Sequence, residues 1–205
     1  MAHGPGLPVE LRTRLLGVAG ALALWRGDYA SAVSLFEEAL LLFRALGDDW
    51  NVGFVLTGLG LTVTFRGELA EGRRLLEESL AVYRVLNDAF GIGLGLLDLG
   101  EVAWYAGDLV EARALLKQAL APLRCAGDVY QLVEALINLG GLELGVGEIA
   151  RAAELAREGL ALLRESGLRF YLPEALELAA GVAARQGETE RAARLFGAAE
   201  SARET

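Results

Sequence analysis

Side chains that commonly catalyse reactions or bind metals are scarce in this 205-residue chain. The one histidine, His3, lies among the opening residues, so neither a histidine-based nucleophile nor a histidine metal cluster can be assembled. The one cysteine, Cys125, stands where other copies of the repeat described below have Ala45, Val85 and Glu165, which favours an inert thiol. The sequence therefore predicts no catalytic residue, no metal site and no cofactor.

Paired carboxylates such as Glu77 and Glu78 could in principle perform acid-base chemistry. Arg73 and Arg74 precede them by four residues, which places each acid beside a base on one helix face. A solvated row of ion pairs explains this pattern without catalysis.

The tripeptide Arg26-Gly27-Asp28 matches an adhesion signal, but its glycine and acid recur along the chain. Gly followed by an acid appears every 40 residues, at Gly27-Asp28, Gly67-Glu68, Gly107-Asp108, Gly147-Glu148 and Gly187-Glu188. A second series lies between them, at Gly47-Asp48, Asn87-Asp88, Gly127-Asp128 and Gly167-Leu168. Glycine or asparagine can end a helix in the left-handed conformation, and aspartate can cap the next helix. We interpret the tripeptide as one of these turns rather than an adhesion signal.

The segments between turns are about 17 residues long and carry apolar residues at helical spacing, such as Leu35, Phe36, Ala39, Leu40 and Phe43. The sequence therefore predicts an all-α fold with ten helices in five antiparallel pairs. A leader over residues 1–8 should precede a single domain over 9–205, with repeats at about 9–48, 49–88, 89–128, 129–168 and 169–205.

Composition limits which cellular compartment and which classes of partner the sequence predicts. The formal net charge is −9 and the pI is near 4.8, which opposes direct binding of nucleic acid. The longest uncharged stretch, residues 50–65, has 16 residues and would rise only about 24 Å as a helix, too short to span a membrane. The single cysteine and the lack of a visible secretion signal predict a cytoplasmic protein.

The order of small and large residues around these turns resembles the tetratricopeptide repeat over residues 9–203. Small residues precede each first-series glycine by seven positions, at Gly20, Gly60, Gly100, Gly140 and Ala180, and another set follows it by five, at Ala32, Gly72, Ala112, Ala152 and Ala192. The resemblance implies a right-handed α-solenoid. The 40-residue period, against 34 in the standard repeat, and the closing "AARLFGAAESARE" are similar to the C-terminal sensor arrays of bacterial LuxR-type and related large ATP-binding regulators.

In tetratricopeptide arrays the first helix of each pair lines a groove that binds ligands. The resemblance assigns that groove to Trp25, Phe54, Thr57, Leu61, Phe65, Leu94, Leu97, Asp98, Glu101, Trp104, Tyr105, Glu134, Asn138, Glu174 and Glu177. These residues are apolar and aromatic in the first half and acidic in the second. The expected ligand is therefore an apolar protein or peptide segment that carries basic groups.

Two aromatic series with the 40-residue period permit more than one interpretation. Trp50, Phe90, Tyr130 and Phe170 open the first helices, where packing between helices is favoured over ligand contact. The second series lies at the ends of first helices and consists of Trp25, Phe65 and Tyr105. It stops at Gly145 and Arg185, so packing between helices and contact with a ligand are equally open.

Glu143 is a carboxylate where other repeats have Ala23, Val63, Ala103 and Ala183. The favoured interpretation is an ion pair with an arginine such as Arg151 or Arg157, and the alternative is a binding carboxylate.

Three functions remain open at this point. The leading hypothesis is a non-catalytic scaffold that binds a protein or peptide, for example as the sensor module of a bacterial regulator. The alternative is a structural unit that self-assembles as a dimer or by end-to-end stacking. Small-molecule sensing in the same groove has no residue signature.

Overall fold

The computed structural model describes residues 8–204, and within this range it contains ten α-helices and no β-strand. The helices are α1 (Val9–Trp25), α2 (Tyr29–Leu46), α3 (Asp49–Phe65), α4 (Leu69–Leu86), α5 (Ala89–Tyr105), α6 (Leu109–Ala126), α7 (Val129–Gly145), α8 (Ile149–Ser166), α9 (Leu172–Arg185) and α10 (Thr189–Arg203). The first eight have 17 or 18 residues, as predicted. Most of the expected leader, residues 1–7, lies outside the described residues.

The predicted turns are confirmed by the backbone. Left-handed φ angles occur at Asn87 and at Gly27, Gly47, Gly67, Gly107, Gly127, Gly147, Gly167 and Gly187. The following aspartates cap the next helices: the carboxylates of Asp28, Asp48, Asp88, Asp108 and Asp128 each accept a hydrogen bond from a backbone N–H three residues later. The longer Glu68, Glu148 and Glu188 make no such bond. At the same turn position, the aspartate side chain therefore caps the next helix and the glutamate side chain does not.

Helix α9 departs from the predicted length. It has 14 residues and begins at Leu172, three positions later than the repeat predicts. Leu168 stands where the other turns have an acid, so no side-chain oxygen caps a helix there, and Pro173 favours a helix start beside it. The missing cap thus explains the shortened helix.

The helices form two compact units, which we call unit 1 (α1 to α5, ending at Gly107) and unit 2 (α6 to α10, beginning at Asp108). Within each unit consecutive helices pack together, and the first helices of successive repeats also touch, as α1 with α3, α3 with α5 and α7 with α9. The single domain expected over 9–205 remains a prediction.

Aromatic side chains and glycines fit together in the core of unit 1. Phe36 is fully buried, and a Cβ atom added at Gly20 or Gly58 would lie 2.8 or 2.4 Å from its ring. Tyr83 is also fully buried, and a Cβ atom at Gly91 would lie 2.2 Å from its ring. These glycines are retained inside helices because each bulky ring occupies the space that a larger side chain would need.

Candidate functional site

The Arg26-Gly27-Asp28 tripeptide forms a helix joint. Arg26 follows the last residue of α1, Gly27 has φ of 73°, and the Asp28 carboxylate accepts a hydrogen bond from the Ser31 N–H at 3.2 Å. The hydrogen bonds to Ser31 also lower the pKa of Asp28. The interpretation of this tripeptide as a turn agrees with its structure.

An open aromatic surface lies at the end of the first helices in unit 1. Phe65 and Tyr105 line a shallow cleft of about 320 Å³ together with Thr64, Gly67 and Leu69. The side chains of Phe65 and Tyr105 are 45% and 59% exposed, although both are large and partly apolar. Exposed aromatic side chains of this kind are frequent anchors for protein partners.

Further sequence-predicted groove residues of unit 1 also reach the surface. Phe54, Leu61, Leu94 and Glu101 are half-buried, whereas Trp25 and Trp104 are exposed. The Phe54 ring stacks on that of Trp50, with a centroid distance of 6.2 Å and an interplanar angle of 6°. The open face of α3 is thus apolar from its first turn to its last.

Three predicted groove residues instead point into the interior of unit 1. Thr57, Leu97 and Asp98 are all at least 95% buried. The Thr57 hydroxyl lies 2.8 Å from the Ser79 hydroxyl of α4, which accounts for its polarity. Helical spacing alone did not separate the open face of α3 and α5 from the face that packs on the neighbouring helix. Because they are buried, these three side chains are not accessible to a ligand on the open face.

The remaining groove candidates, which are three acids and one asparagine, lie in unit 2. Glu134 and Asn138 on α7 and Glu174 on α9 are half-buried. Glu177 forms an ion pair with Arg203 of α10 at 2.6 Å, and this hydrogen bond raises the pKa of the arginine. Of the predicted acids in unit 2, Glu177 therefore already has a partner within the chain.

The Glu134 carboxylate accepts a hydrogen bond from Tyr171. The Tyr171 hydroxyl hydrogen-bonds the Glu134 carboxylate and also the Tyr130 hydroxyl. Burial raises the pKa of Glu134 above its ordinary value, and the bond from Tyr171 offsets only part of the rise. Burial, followed by the charge of Glu134, likewise raises the pKa of Tyr171. The sequence did not predict a role for Tyr171, because its repeat position is held by Asn51, Gly91 and Gln131 in other copies.

Glu143 is a structural carboxylate with partners other than those expected. Its side chain is completely buried and makes ion pairs with Arg113 and with Lys117, the latter at 3.0 Å. Both bases belong to α6, which packs against α7, whereas the predicted Arg151 and Arg157 belong to α8. The prediction of an ion pair is right, but the predicted partners are wrong.

Within residues 8–204, no group of three or more histidine, cysteine or acidic side chains could hold a metal ion. In the same range no helix has the length and apolar character needed to cross a membrane.

Comparison with known families decides the classification of this helical arrangement. The tetratricopeptide repeat model matches residues 11–84 and 55–124, which together cover more than half of the chain. The chain belongs to the tetratricopeptide repeat family. The expected all-α fold of the tetratricopeptide type is thereby confirmed, together with the ten helices described above.

Solved structures with the same fold are distant in sequence. BtubC (BKLC) from P. vanneervenii is 18% identical with a TM-score of 0.79, over 96% of this chain and 81% of that one. A Rap protein complexed with competence and sporulation factor is 18% identical with a TM-score of 0.81, over 95% of this chain. This chain covers only 54% of that Rap protein.

A putative kinesin light chain from Podospora anserina, with nearly identical tetratricopeptide-like repeats, is 17% identical with a TM-score of 0.70, over 94% and 95% of the two chains. Comparison with curated protein sequences gives no match. These similarities concern the fold and do not confirm the resemblance to LuxR-type regulators.

Proposed function

We propose that this protein binds a polypeptide segment without catalysing a reaction, and that the partner lies on the open faces of the first helices. The observation that carries this proposal is the cleft between the exposed rings of Phe65 and Tyr105. In unit 2, the half-buried Glu134 and Glu174 favour basic groups on a polypeptide that binds there. The expected ligand is an apolar segment with basic side chains.

The family supports a binding role, because tetratricopeptide arrays present stacked helices to partners. One structure with this fold is a Rap protein complexed with competence and sporulation factor, which shows binding by that protein. We extend the proposal to a sensor or interaction module of a bacterial regulator.

Selection from random dodecapeptides displayed on phage tests the proposal with the full chain as bait. The selected peptides are synthesised with a fluorophore, and their dissociation constants are measured by fluorescence anisotropy. The double variant Phe65→Ala/Tyr105→Ala should weaken binding at least about tenfold, since truncation of aromatic anchors costs most at the centre of an interface.

The matched control removes two exposed apolar side chains from second helices. Leu41 is 68% and Val85 is 86% exposed, so Leu41→Ala/Val85→Ala should leave affinity unchanged. Equal weakening by both double variants would contradict the assigned surface, and a selection with no enriched binder would contradict polypeptide binding itself.

Self-association is the second candidate function, and an apolar stripe on α1 favours it. Leu11, Leu15, Val18, Leu22 and Trp25 are 45–78% exposed and follow the four-three spacing of a coiled-coil seam. A second copy could pair the same stripe by two-fold symmetry.

Light scattering over a dilution series tests self-association directly. The wild-type mass should approach twice that of the 21.8 kDa chain at high concentration, and Leu15→Glu/Leu22→Glu should return it to one chain. Leu41→Glu is the control, because it places a charge at an exposed apolar site on another helix. A mass of one chain at every concentration would eliminate this candidate.

A further inference from the structure

Three aromatic rings meet near the N-terminal ends of α7 and α9 in unit 2. Ring centroids of Tyr130 and Tyr171 are 4.8 Å apart, those of Tyr130 and Phe170 are 5.4 Å apart, and those of Phe170 and Tyr171 are 4.9 Å apart. Phe170 is 64% exposed, so the group opens to solvent on one side. Tyr171 packs on the apolar core of the unit, with Val133 and Ala175 among its residues, which fixes the position of its ring.

Residues with carboxylate and amide oxygens stand next to these aromatic residues in the chain or one helical turn away from them. The Glu134 carboxylate accepts from Tyr171, as described above, and Glu174 follows on the first turn of α9. Within residues 8–204, Gln131 Oε1 and Glu174 Oε2 are buried and have no hydrogen-bond partner. A buried oxygen without a hydrogen-bond donor destabilises the protein, which makes this position receptive to a donor from a ligand. We call the six residues the aromatic–carboxylate cluster: Tyr130, Gln131, Glu134, Phe170, Tyr171 and Glu174.

The cluster lacks a cation of its own beside Glu134. No ion pair to Glu134 forms within the part of the chain that the structure describes. Arg203 is bound to Glu177, and Glu174 makes a smaller contribution to raising the pKa of that arginine. At the matching repeat position, unit 1 has Phe54 stacked on Trp50, which is an entirely apolar arrangement. The carboxylate therefore replaces an aromatic ring that the fold accommodates in the same place.

We propose that the aromatic–carboxylate cluster receives the arginine or lysine side chain of a bound polypeptide. The inference deepens the proposed function and rests on it. A guanidinium or ammonium group attracts the faces of aromatic rings and donates hydrogen bonds to carboxylate and amide oxygens. The apolar stem of the same side chain can lie against Phe170 while its charged end reaches Glu134. A cationic side chain thus satisfies the rings and the unpaired acceptors and also neutralises the carboxylates.

The test pairs a change in the protein with a change in the peptide. Each dodecapeptide selected on the full chain is resynthesised with citrulline for arginine, or norleucine for lysine, which removes the charge but keeps the shape. Binding of both forms is measured to wild type and to Glu134→Gln. We expect the neutral peptide to bind wild type about tenfold more weakly, and this difference to fall to twofold or less in Glu134→Gln.

Two further variants complete the design. Glu165→Gln removes the same charge from an exposed site on α8 and should keep the tenfold difference, which separates local recognition from the overall acidity of the chain. Tyr171→Phe keeps the ring but removes the hydroxyl, and should retain binding of the charged peptide. Thermal unfolding followed by circular dichroism verifies that each variant is folded.

The outcomes distinguish this inference from the proposed function. Peptides that need Phe65 and Tyr105 but carry no basic residue, or that lose equal affinity on Glu134→Gln and Glu165→Gln, would overturn the cationic site and leave polypeptide binding intact. Failure to select any peptide would overturn both. If acetyl-arginine amide alone binds as tightly as the peptides, the cluster is a small-molecule site and the polypeptide assignment is wrong.

Discussion

Units 1 and 2 share one 40-residue frame but use their glycines and charges differently. In unit 1, helix glycines such as Gly58 and Gly91 lie directly against buried aromatic rings. In unit 2, Gly140 faces the end of the flexible Leu178 side chain, and an added Cβ at Gly141 would meet nothing within 4 Å. In unit 2 the fully buried carboxylate of Glu143 joins α7 to α6 through ion pairs with two bases. The repeat therefore determines where the helices and turns lie. A few residues that differ between repeats determine whether neighbouring helices are joined by close packing of a ring on a glycine or by a buried ion pair.

The largest effect should come from Gly91→Ala in unit 1. The new Cβ would lie 2.2 Å from Cγ of Tyr83, near the fixed base of a fully buried ring, so the ring or α5 must move. We expect the free energy of unfolding in urea to fall by about 2 kcal/mol. The three tryptophans Trp25, Trp50 and Trp104 all lie in unit 1, so their fluorescence follows this transition.

Gly140→Ala is the matched control for that change. Its Cβ would meet the terminal Cδ2 of Leu178 at 2.4 Å, and a leucine can turn its methyl groups aside. We expect the free energy of unfolding to change by less than about 1 kcal/mol, because the higher helix propensity of alanine offsets the cost of moving the leucine methyl groups. If Gly91→Ala and Gly140→Ala lower the free energy of unfolding equally, the expected difference between the two units is wrong.

Glu143→Gln should have an intermediate effect. It removes the charge that Arg113 and Lys117 contact, so we expect the free energy of unfolding to fall by about 1–2 kcal/mol. The loss is limited because both bases are partly exposed to water. Urea unfolding followed by far-ultraviolet circular dichroism measures this change in the free energy of unfolding. A stabilised Glu143→Gln protein would show that burial of the carboxylate costs more than its ion pairs return.

The same variant has a defined pH dependence. Burial raises the pKa of Glu143, but the hydrogen bonds and charges of Arg113 and Lys117 outweigh it, so the pKa is lowered from 4.5. A lowered pKa in the folded state stabilises the protein fully above the unfolded value and loses that effect as the pH falls through the folded value. The difference in stability between wild type and Glu143→Gln should therefore be constant above about pH 5.5 and shrink below pH 4.5. A difference that grows on acidification would contradict the ion pairs.

The smallest effect should come from Gly141→Ala in α7. Nothing lies within 4 Å of the added Cβ, so only helix propensity changes. We expect stabilisation by up to about 1 kcal/mol, read as a higher urea midpoint. A destabilised Gly141→Ala protein would mean that this helix face is covered.

The sequence predicted the turns well because their chemistry is local. A left-handed φ at Gly47 or Asn87 and a cap by Asp48 depend on residues next to each other, and the 40-residue period repeats this signal. The late start of α9 was missed, although the absence of an acid at Leu168 is visible in the sequence.

Side-chain orientation was less predictable, since it depends on which helix packs on which face. Thr57 and Leu97 were assigned to the groove but are buried, and Glu143 pairs with the preceding helix rather than the following one. Glu134 and Glu174 were predicted as groove residues, but the contact of Glu134 with Tyr171 was not, because it joins α7 to the residue that precedes α9. Contacts between repeats therefore require the structure.

Amide chemical-shift mapping by nuclear magnetic resonance tests the central claim most directly. A selected dodecapeptide is titrated into the isotopically labelled full chain, and perturbed amides are assigned to helices. The account predicts the largest shifts on the open faces of first helices, around Phe65 and Tyr105 in unit 1 and around Glu134 and Tyr171 in unit 2. Shifts centred on second helices, around Leu41 and Val85, would contradict it.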